Sequence, residues 1–167
     1  DLKIKKQLVT YVDGKKYGRF KSWFKNKKIR SEGYYKNDLM NGNWKFYYRN
    51  GQKKAEGDFI DGDGKNKNKL TNIPINGRSG EWVSWHEDGS KWSKLSFLNG
   101  EKHGSQKNWY ENGQKELEGE YNQDIPVNKW SWWYFDGAPM QEGKYGENGI
   151  FQGLYFINPQ VPNFSYP

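Results

Sequence analysis

The chain has 167 residues, which suits one ordinary domain, and its 27 Lys and Arg against 20 Asp and Glu give a formal net charge of +7. It contains no Cys, which excludes disulfide frameworks, thiol nucleophiles and cysteine metal sites, and no apolar run approaches the roughly 20 residues of a membrane-spanning helix. Aromatic residues make up 18% of the chain, far more than disordered segments contain, so we expect a folded protein. Rings favour strands, and the 20 glycines supply turns.

A repeat of 24 or 25 residues runs along the chain, with one longer interval of 38 residues that contains an insertion. Its units, each counted from a leading residue at position zero, begin at Gly18, Gly42, Gly80, Gly104, Asn128 and Gly153. We therefore predict a single repeat domain over residues 1–167. It comprises a partial unit at 1–17, five hairpin units over 18–152 with an insertion at 63–77, and a partial unit and tail at 153–167.

Each unit has the pattern of a β-hairpin. Rings recur at positions two, five, six and seventeen, and position nine is a glycine preceded by Asn or Asp, at Asn50-Gly51, Asp88-Gly89, Asn112-Gly113 and Asp136-Gly137. These residue types tolerate positive φ, so we predict two-residue type I′ turns that join antiparallel strands. The first unit has Asn26-Lys27 instead. Because Lys in that conformation costs energy, we expect a longer or looser turn there.

The predicted turn fixes a register that other residues support. Position three lies opposite position fourteen, which pairs opposite charges at Lys21–Glu32, Lys45–Glu56 and Lys107–Glu118. Position two lies opposite position fifteen, which sets Trp44 against Gly57 and Trp130 against Gly143, so that a ring covers bare backbone.

One hairpin cannot bury its rings alone, so stacked hairpins are needed to make a continuous sheet. The sequence therefore predicts an all-β fold, an elongated single antiparallel meander sheet of tandem β-hairpin repeats. We expect about eleven or twelve strands and little or no helix.

Position five supplies a candidate binding face. Its residues share a sheet face with the Lys–Glu pairs, opposite positions two and six, and are Trp23, Tyr47, Trp85, Trp109 and Trp133. If that face is exposed, the row of rings can bind a partner strand, a glycan or lipid headgroups; otherwise sheet twist and side-chain stacking bury it.

A second candidate binding site is the insertion. Its Lys65, Lys67 and Lys69 would contact an anionic partner if it is a functional loop rather than a flexible excursion.

The pattern G-x-W-x-x-(Y/W)-(Y/F)-x-(N/D)-G followed by E-G-x-(Y/F) resembles the MORN repeat in its bacterial variant form. The matches are clearest at 42–59, 104–121 and 128–145, and the resemblance covers about residues 18–157. Departures are Gln106 for the first aromatic residue, Leu95 for a glycine, Asn128 for the leading glycine, and the insertion. The resemblance implies an elongated antiparallel meander used for protein or membrane contacts, without a catalytic motif. Chains of this variant type are often labelled antitoxin components.

These features predict a non-enzymatic protein–protein interaction scaffold, envelope-associated or antitoxin-like, with no cofactor and no metal site. The alternative is a cell-wall or glycan-binding module, because 130–145 is similar to the wall-binding repeats of bacterial surface proteins. Those repeats have a shorter period than this chain.

Another protein is the preferred partner, and anionic lipid headgroups and cell-wall glycan are further candidates. Interleaving of Lys with Glu disfavours nucleic acid, and unprotected edge strands invite self-association. Because the chain opens with Asp1 rather than Met, we expect that an N-terminal piece has been removed, either as a cleaved signal or lipoprotein segment or by trimming of the sequence. We therefore expect a bacterial envelope or secreted location rather than a cytoplasmic one.

Overall fold

The computed structural model describes residues 6–146 and 149–155, and these form one twelve-stranded antiparallel sheet in which strand order follows chain order. The strands are β1 (Gln7–Val12), β2 (Lys15–Trp23), β3 (Ile29–Lys36), β4 (Leu39–Tyr47), β5 (Lys53–Gly62), β6 (Arg78–Trp85), β7 (Lys91–Leu98), β8 (Glu101–Trp109), β9 (Lys115–Asn122), β10 (Ile125–Trp133), β11 (Pro139–Tyr145) and β12 (Phe151–Tyr155). The predicted all-β meander is confirmed. The described residues contain no helix long and apolar enough to cross a membrane. Residues 1–5 of the predicted first partial unit and 156–167 of the predicted tail lie outside the described part.

The predicted register within each unit is confirmed. Lys45 lies opposite Glu56 and Trp44 opposite Gly57 on β4 and β5, and the corresponding pairs form in the other units. The charges meet at 3.0 Å between Lys21 Nζ and Glu32 Oε2 and at 3.7 Å between Lys45 Nζ and Glu56 Oε1.

The prediction of type I′ turns at Asn50-Gly51 and its equivalents is wrong. The loop has three residues: the N–H of Tyr48 donates to the carbonyl of Gln52 at 2.9 Å, and the N–H of Gly51 donates to the carbonyl of Tyr48 at 3.0 Å. Gly51 has a φ of 96°, whereas Asn50 is not among the positive-φ residues. This is a type I turn followed by a left-handed glycine. A bulge beside Tyr47 then restores the predicted register.

The residue before that glycine is Asn or Asp because its side chain accepts a hydrogen bond, and not because its backbone needs a positive φ. Asn50 Oδ1 accepts the N–H of Gln52 at 2.9 Å, and the same bond forms in all five units. Where the residue is Asn, its amide also donates to a carbonyl of the next turn, for example Asn50 to Glu87 at 2.7 Å. Asn26 and Asn112 do the same. Asp has no such donor, so the turn-to-turn bond requires Asn.

Type I′ turns occur at the other end of the strands, opposite the three-residue loops, where they join consecutive units. Both central residues have positive φ in Asp13-Gly14, Asn37-Asp38, Asn99-Gly100 and Gln123-Asp124. These turns follow the period of the repeat, and they were not predicted from the sequence. Between β5 and β6 the insertion stands in place of such a turn.

The leading residue of each of the five hairpin units lies at a bulge in the left-handed region. Gly18, Gly42, Gly80 and Gly104 have φ between 64° and 93°, and Asn128 has 60°. Asn tolerates this conformation better than other side chains, which explains its replacement of glycine. The register between β3 and β4 shifts at this bulge, beside Gly33.

The bulge places a Trp ring over the glycine of the preceding strand. A Cβ built on Gly33 would lie 2.2 Å from the Trp44 ring, and Gly57 and Gly119 meet Trp82 and Trp130 in the same way. The prediction that each ring covers the glycine of its own hairpin is therefore wrong: Trp44 covers Gly33 on β3, not Gly57 on β5. The ring N–H of Trp44 also donates to the Tyr34 carbonyl at 3.1 Å, so this contact joins neighbouring units.

The two sheet faces differ in composition. The face that we call the ring face holds the core, formed by Met40, Trp44, Ala55, Phe59, Ile73, Trp82 and Phe97, with Phe20, Tyr35, Phe46 and Leu95 packed against it. The opposite face, the Lys–Glu face, holds the cross-strand charge pairs. The insertion folds onto the ring face, where Ile73 is only 3% exposed.

We predict that Lys27→Gly stabilises the protein by about 1 kcal/mol, because Lys27 holds a φ of 67° in a turn that has the same hydrogen bonds as its equivalents. The expectation of a longer or looser turn there is wrong. The left-handed conformation of Lys27 therefore remains as backbone strain. Urea unfolding followed by Trp fluorescence measures the change. The reverse variant Gly113→Lys should lose a similar amount, because a Cβ there meets nothing within 4 Å and only the φ of 83° matters. A neutral or destabilising Lys27→Gly would contradict this account.

Candidate functional site

The predicted row of rings lies on the Lys–Glu face, as expected, but the rings are only half-exposed. Each of the last three is capped by a lysine of the preceding unit. Lys53 Nζ lies 4.7 Å from the centroid of Trp85, and Lys91 and Lys115 lie 5.3 Å from those of Trp109 and Trp133. Such cation–π contacts are worth about 0.5–1 kcal/mol at exposed sites. These side chains therefore have structural contacts that a partner would need to displace.

Tyr47, in the same row, is held by a carboxylate. Its hydroxyl donates to Glu32 Oε1 at 2.6 Å. This bond, followed by that from Lys21, lowers the pKa of Glu32 below its usual value despite partial burial. Burial and the neighbouring Glu32 raise the pKa of Tyr47. The hydroxyl is therefore a permanent donor at neutral pH.

Position six fastens one unit to the next. The Tyr48 hydroxyl donates to the carbonyl of Trp85 at 2.8 Å, and Tyr110 donates to that of Trp133 at the same distance. His86 Nε2 lies 2.8 Å from the Trp109 carbonyl and takes the same role. The position of His86 is thus explained by packing and backbone hydrogen bonding.

A groove with a volume of about 1020 Å³ lies on the ring face over β1–β4. Its floor consists of Phe20, Tyr35, Trp44 and Phe46, and Ile73 and Pro74 of the insertion form one end. Trp44 is 2% exposed, whereas the other three floor rings are half-exposed. The groove therefore offers apolar surface at the point where the core reaches solvent.

The charges around this groove have one sign. Among the described residues, its lining includes six cationic side chains and no Asp or Glu: Lys6, Lys25, Arg30, Arg49, Lys54 and Lys67. None of the six forms an ion pair with another described residue. By contrast, a shallower groove of about 580 Å³ on the Lys–Glu face is lined by Lys107 and Lys129 together with Glu118, Glu120 and Glu142.

The insertion is an ordered wall of the groove. The Asn68 N–H donates to the Ile73 carbonyl at 3.0 Å, and Arg78 Nε donates to the Pro74 carbonyl at 2.8 Å. The Arg78 guanidinium lies 4.4 Å from the centroid of Trp82, and burial lowers its pKa to about 10. The predicted flexible excursion is therefore a packed segment. Of its three lysines, Lys67 lines the groove, and Lys65 and Lys69 are exposed outside its lining.

This groove was not predicted from the sequence, although the sequence contains a signal for it. Positions seven and twelve are basic in the first two units, at Lys25, Arg30, Arg49 and Lys54. In the third and fourth units the same positions hold Glu87, Trp92, Glu111 and Glu116. Comparison of charge between units, rather than over the whole chain, would have marked the N-terminal end of the ring face.

Four segments of the chain match the family model described as MORN repeat variant: residues 16–37, 40–61, 78–99 and 102–123. Each segment contains one strand pair, from β2–β3 to β8–β9, and together they make up just over half of the chain. The chain belongs to the MORN repeat variant family. A search of curated proteins found no relative that matches it.

MORN-repeat proteins are generally non-catalytic interaction modules. The matched segments also show what is particular to this MORN protein. The insertion lies between the second and third matches, so the wall that closes the groove is an addition to the repeat. The groove therefore combines common repeat surface with a feature of this chain.

We predict that Tyr47→Phe lowers the free energy of unfolding by about 1 kcal/mol at neutral pH and raises the pKa of Glu32, because the carboxylate loses its phenol donor. A group with a depressed folded-state pKa stabilises the fold above its unfolded pKa and loses that contribution as pH falls through the folded value. The stability difference between the two proteins should therefore shrink in acid. NMR titration of Glu32 and urea unfolding at two pH values test this.

Tyr11→Phe is the matched control for that prediction, since Tyr11 is 55% exposed on an edge strand. It should leave both quantities unchanged. An unchanged Glu32 pKa in Tyr47→Phe would contradict the role given to the hydroxyl.

Proposed function

We propose that this MORN protein is a non-enzymatic scaffold that binds another protein in the groove on the ring face of its first two units. The observation that supports this is the groove itself. Half-exposed rings form its floor, unpaired cations surround it, and a packed insertion closes one end. Contiguous exposed apolar surface with a polar rim is typical of interaction sites.

The ring face is favoured over the Lys–Glu face by the state of its side chains. On the Lys–Glu face, the rings are capped by lysines and the charges are already paired. A partner there would break existing contacts. A partner in the groove leaves the ion pairs of the Lys–Glu face intact, and it meets two cation–π contacts, those of Lys16 with Tyr35 and of Lys54 with Tyr48. It can therefore cover the groove with little loss of ion pairing.

The finer parts of the sequence interpretation stay predictions. These are the antitoxin-like role, the envelope or secreted location, contact with lipid headgroups or wall glycan, and self-association through sheet edges.

Site-directed photo-cross-linking tests the proposed surface. Because the sequence has no native Cys, a single introduced Cys is the only labelled position. Ser31 lines the groove, so Ser31→Cys labelled with a benzophenone maleimide should cross-link one defined partner from the source cell in stoichiometric yield. Ser105→Cys is the matched control, because Ser105 lies on the Lys–Glu face and lines the other groove.

Equal cross-linking from both positions, or none from Ser31→Cys, would contradict the proposed location. A partner captured only through Ser105→Cys would move the interaction to the Lys–Glu face. This readout does not depend on the charge of the partner.

A further inference from the structure

We propose that the occupant of the groove is an extended acidic segment of another protein, with apolar side chains interspersed among its carboxylates. This inference rests on the proposed function, and it adds the chemistry of the partner. Within the part of the chain that the structure describes, six cations without an ion pair and no acid line the groove, whereas the groove on the Lys–Glu face is lined by lysines and glutamates together. Electrostatic complementarity of this kind selects partners and speeds their association.

The cations are spread along the groove rather than gathered at one point. Lys25 and Arg49 lie in the turns that follow β2 and β4, whereas Lys67 lies in the insertion at the opposite end of these strands. At roughly 3.3 Å per residue, the nine residues of β4 separate the two ends by up to about 30 Å. A single phosphate or carboxylate cannot reach both ends, and an extended segment of roughly ten residues can.

The floor between the two ends is apolar. Phe20 and Phe46 lie on either side of Trp44, at centroid distances of 5.4 Å and 6.1 Å, and both are half-exposed. An occupant therefore needs apolar side chains between its acids. In an extended chain successive side chains alternate in direction, so apolar residues can face the floor while acids reach the cations.

The same rings are poorly placed to stack nucleic-acid bases. Trp44 is buried against Gly33 and between its two neighbours, and Tyr35 has Lys16 Nζ 4.9 Å from its ring centroid. Base stacking needs free ring faces. Peptide side chains need only the ring edges and the apolar surface that remain exposed.

The charge signature is confined to this end of the sheet. Positions seven and twelve are all basic in the first two units, and three of the four equivalents in the next two units are Glu. Glu87 lies near Lys54 and opposes the effect of burial on the pKa of that lysine. Glu87 therefore marks the border of the basic region, beyond which acidic side chains of the sheet would repel an acidic segment.

The test is fluorescence anisotropy with the full chain and a labelled peptide of roughly ten residues that alternates Glu with Leu, a length that matches the groove. The groove variant is Lys25→Gln/Arg49→Gln/Lys67→Gln. The control is Arg19→Gln/Lys36→Gln/Lys144→Gln, which removes the same types of exposed charge outside the groove lining. At one fixed salt concentration, the groove variant should bind about tenfold more weakly, and the control within about twofold of the parent protein.

Competing probes decide between classes of occupant. A peptide that alternates Lys with Leu, phosphatidylcholine vesicles with about one fifth phosphatidylserine, and an oligothymidylate of about twelve nucleotides should all bind more weakly than the acidic peptide. Tighter binding of the vesicles or the oligonucleotide would overturn the proposal in favour of a lipid surface or a nucleic acid. Equal weakening in both triple variants would also overturn it, since net charge alone would then explain binding. A neutral partner cross-linked at Ser31→Cys would overturn the acidic occupant while the scaffold function stands.

Discussion

The structure depends on a Trp ring that lies over a bare glycine of the preceding strand. Within a hairpin the turn and the cross-strand pairing hold the two strands together, and where the turn residue is Asn its amide also bonds the next turn at the surface. In the core, another contact attaches one hairpin to the next. The Trp44 ring does so by covering Gly33 and by donating its N–H to the Tyr34 carbonyl. A large ring and a missing Cβ are therefore two halves of one contact, located in different units. The left-handed leading residue at position zero creates the bulge that makes this approach possible.

The junction between β7 and β8 lacks this contact, and both halves are missing there together. Leu95 stands where the glycine would be, and Gln106, directly opposite, stands where the Trp would be. A Leu side chain would collide with a ring in that place, so the two departures from the repeat are a single paired change. Gln106 Oε1 is buried and accepts no hydrogen bond from the described residues. The ring contacts on either side run from Phe20 to Phe97 and from Tyr121 to Phe151. The groove lies in the first of these two series.

The sequence predicted the fold through its period, and the register through cross-strand charge and ring positions. It did not distinguish type I′ turns from three-residue loops, because Asn-Gly serves both and only backbone hydrogen bonds separate them. The predicted pairing of Trp44 with Gly57 in its own hairpin is correct. The ring nevertheless covers Gly33 of the preceding strand, because of a bulge that the local sequence pattern does not predict. The rings at position five are capped on the Lys–Glu face at Trp85, Trp109 and Trp133, whereas Trp23 and Tyr47 also contribute to the lining of the groove. The capping lysines come from adjacent units, so their effect depends on the spacing of strands. Basic residues at positions seven and twelve of the first two units indicate the charge of the groove. The groove itself forms only because the insertion folds over the rings, which the repeat pattern does not predict.

The central claim is tested most directly by installing the missing contact. In a cycle of the parent protein, Leu95→Gly, Gln106→Trp and the double variant, urea unfolding gives four free energies. Each single change should destabilise, since one empties packed space beside the core and the other drives a ring into Leu95. The double variant should be more stable than either single variant, with a favourable coupling of at least about 1 kcal/mol. Additive effects in the double variant would contradict the claim that ring and glycine act as one contact between units.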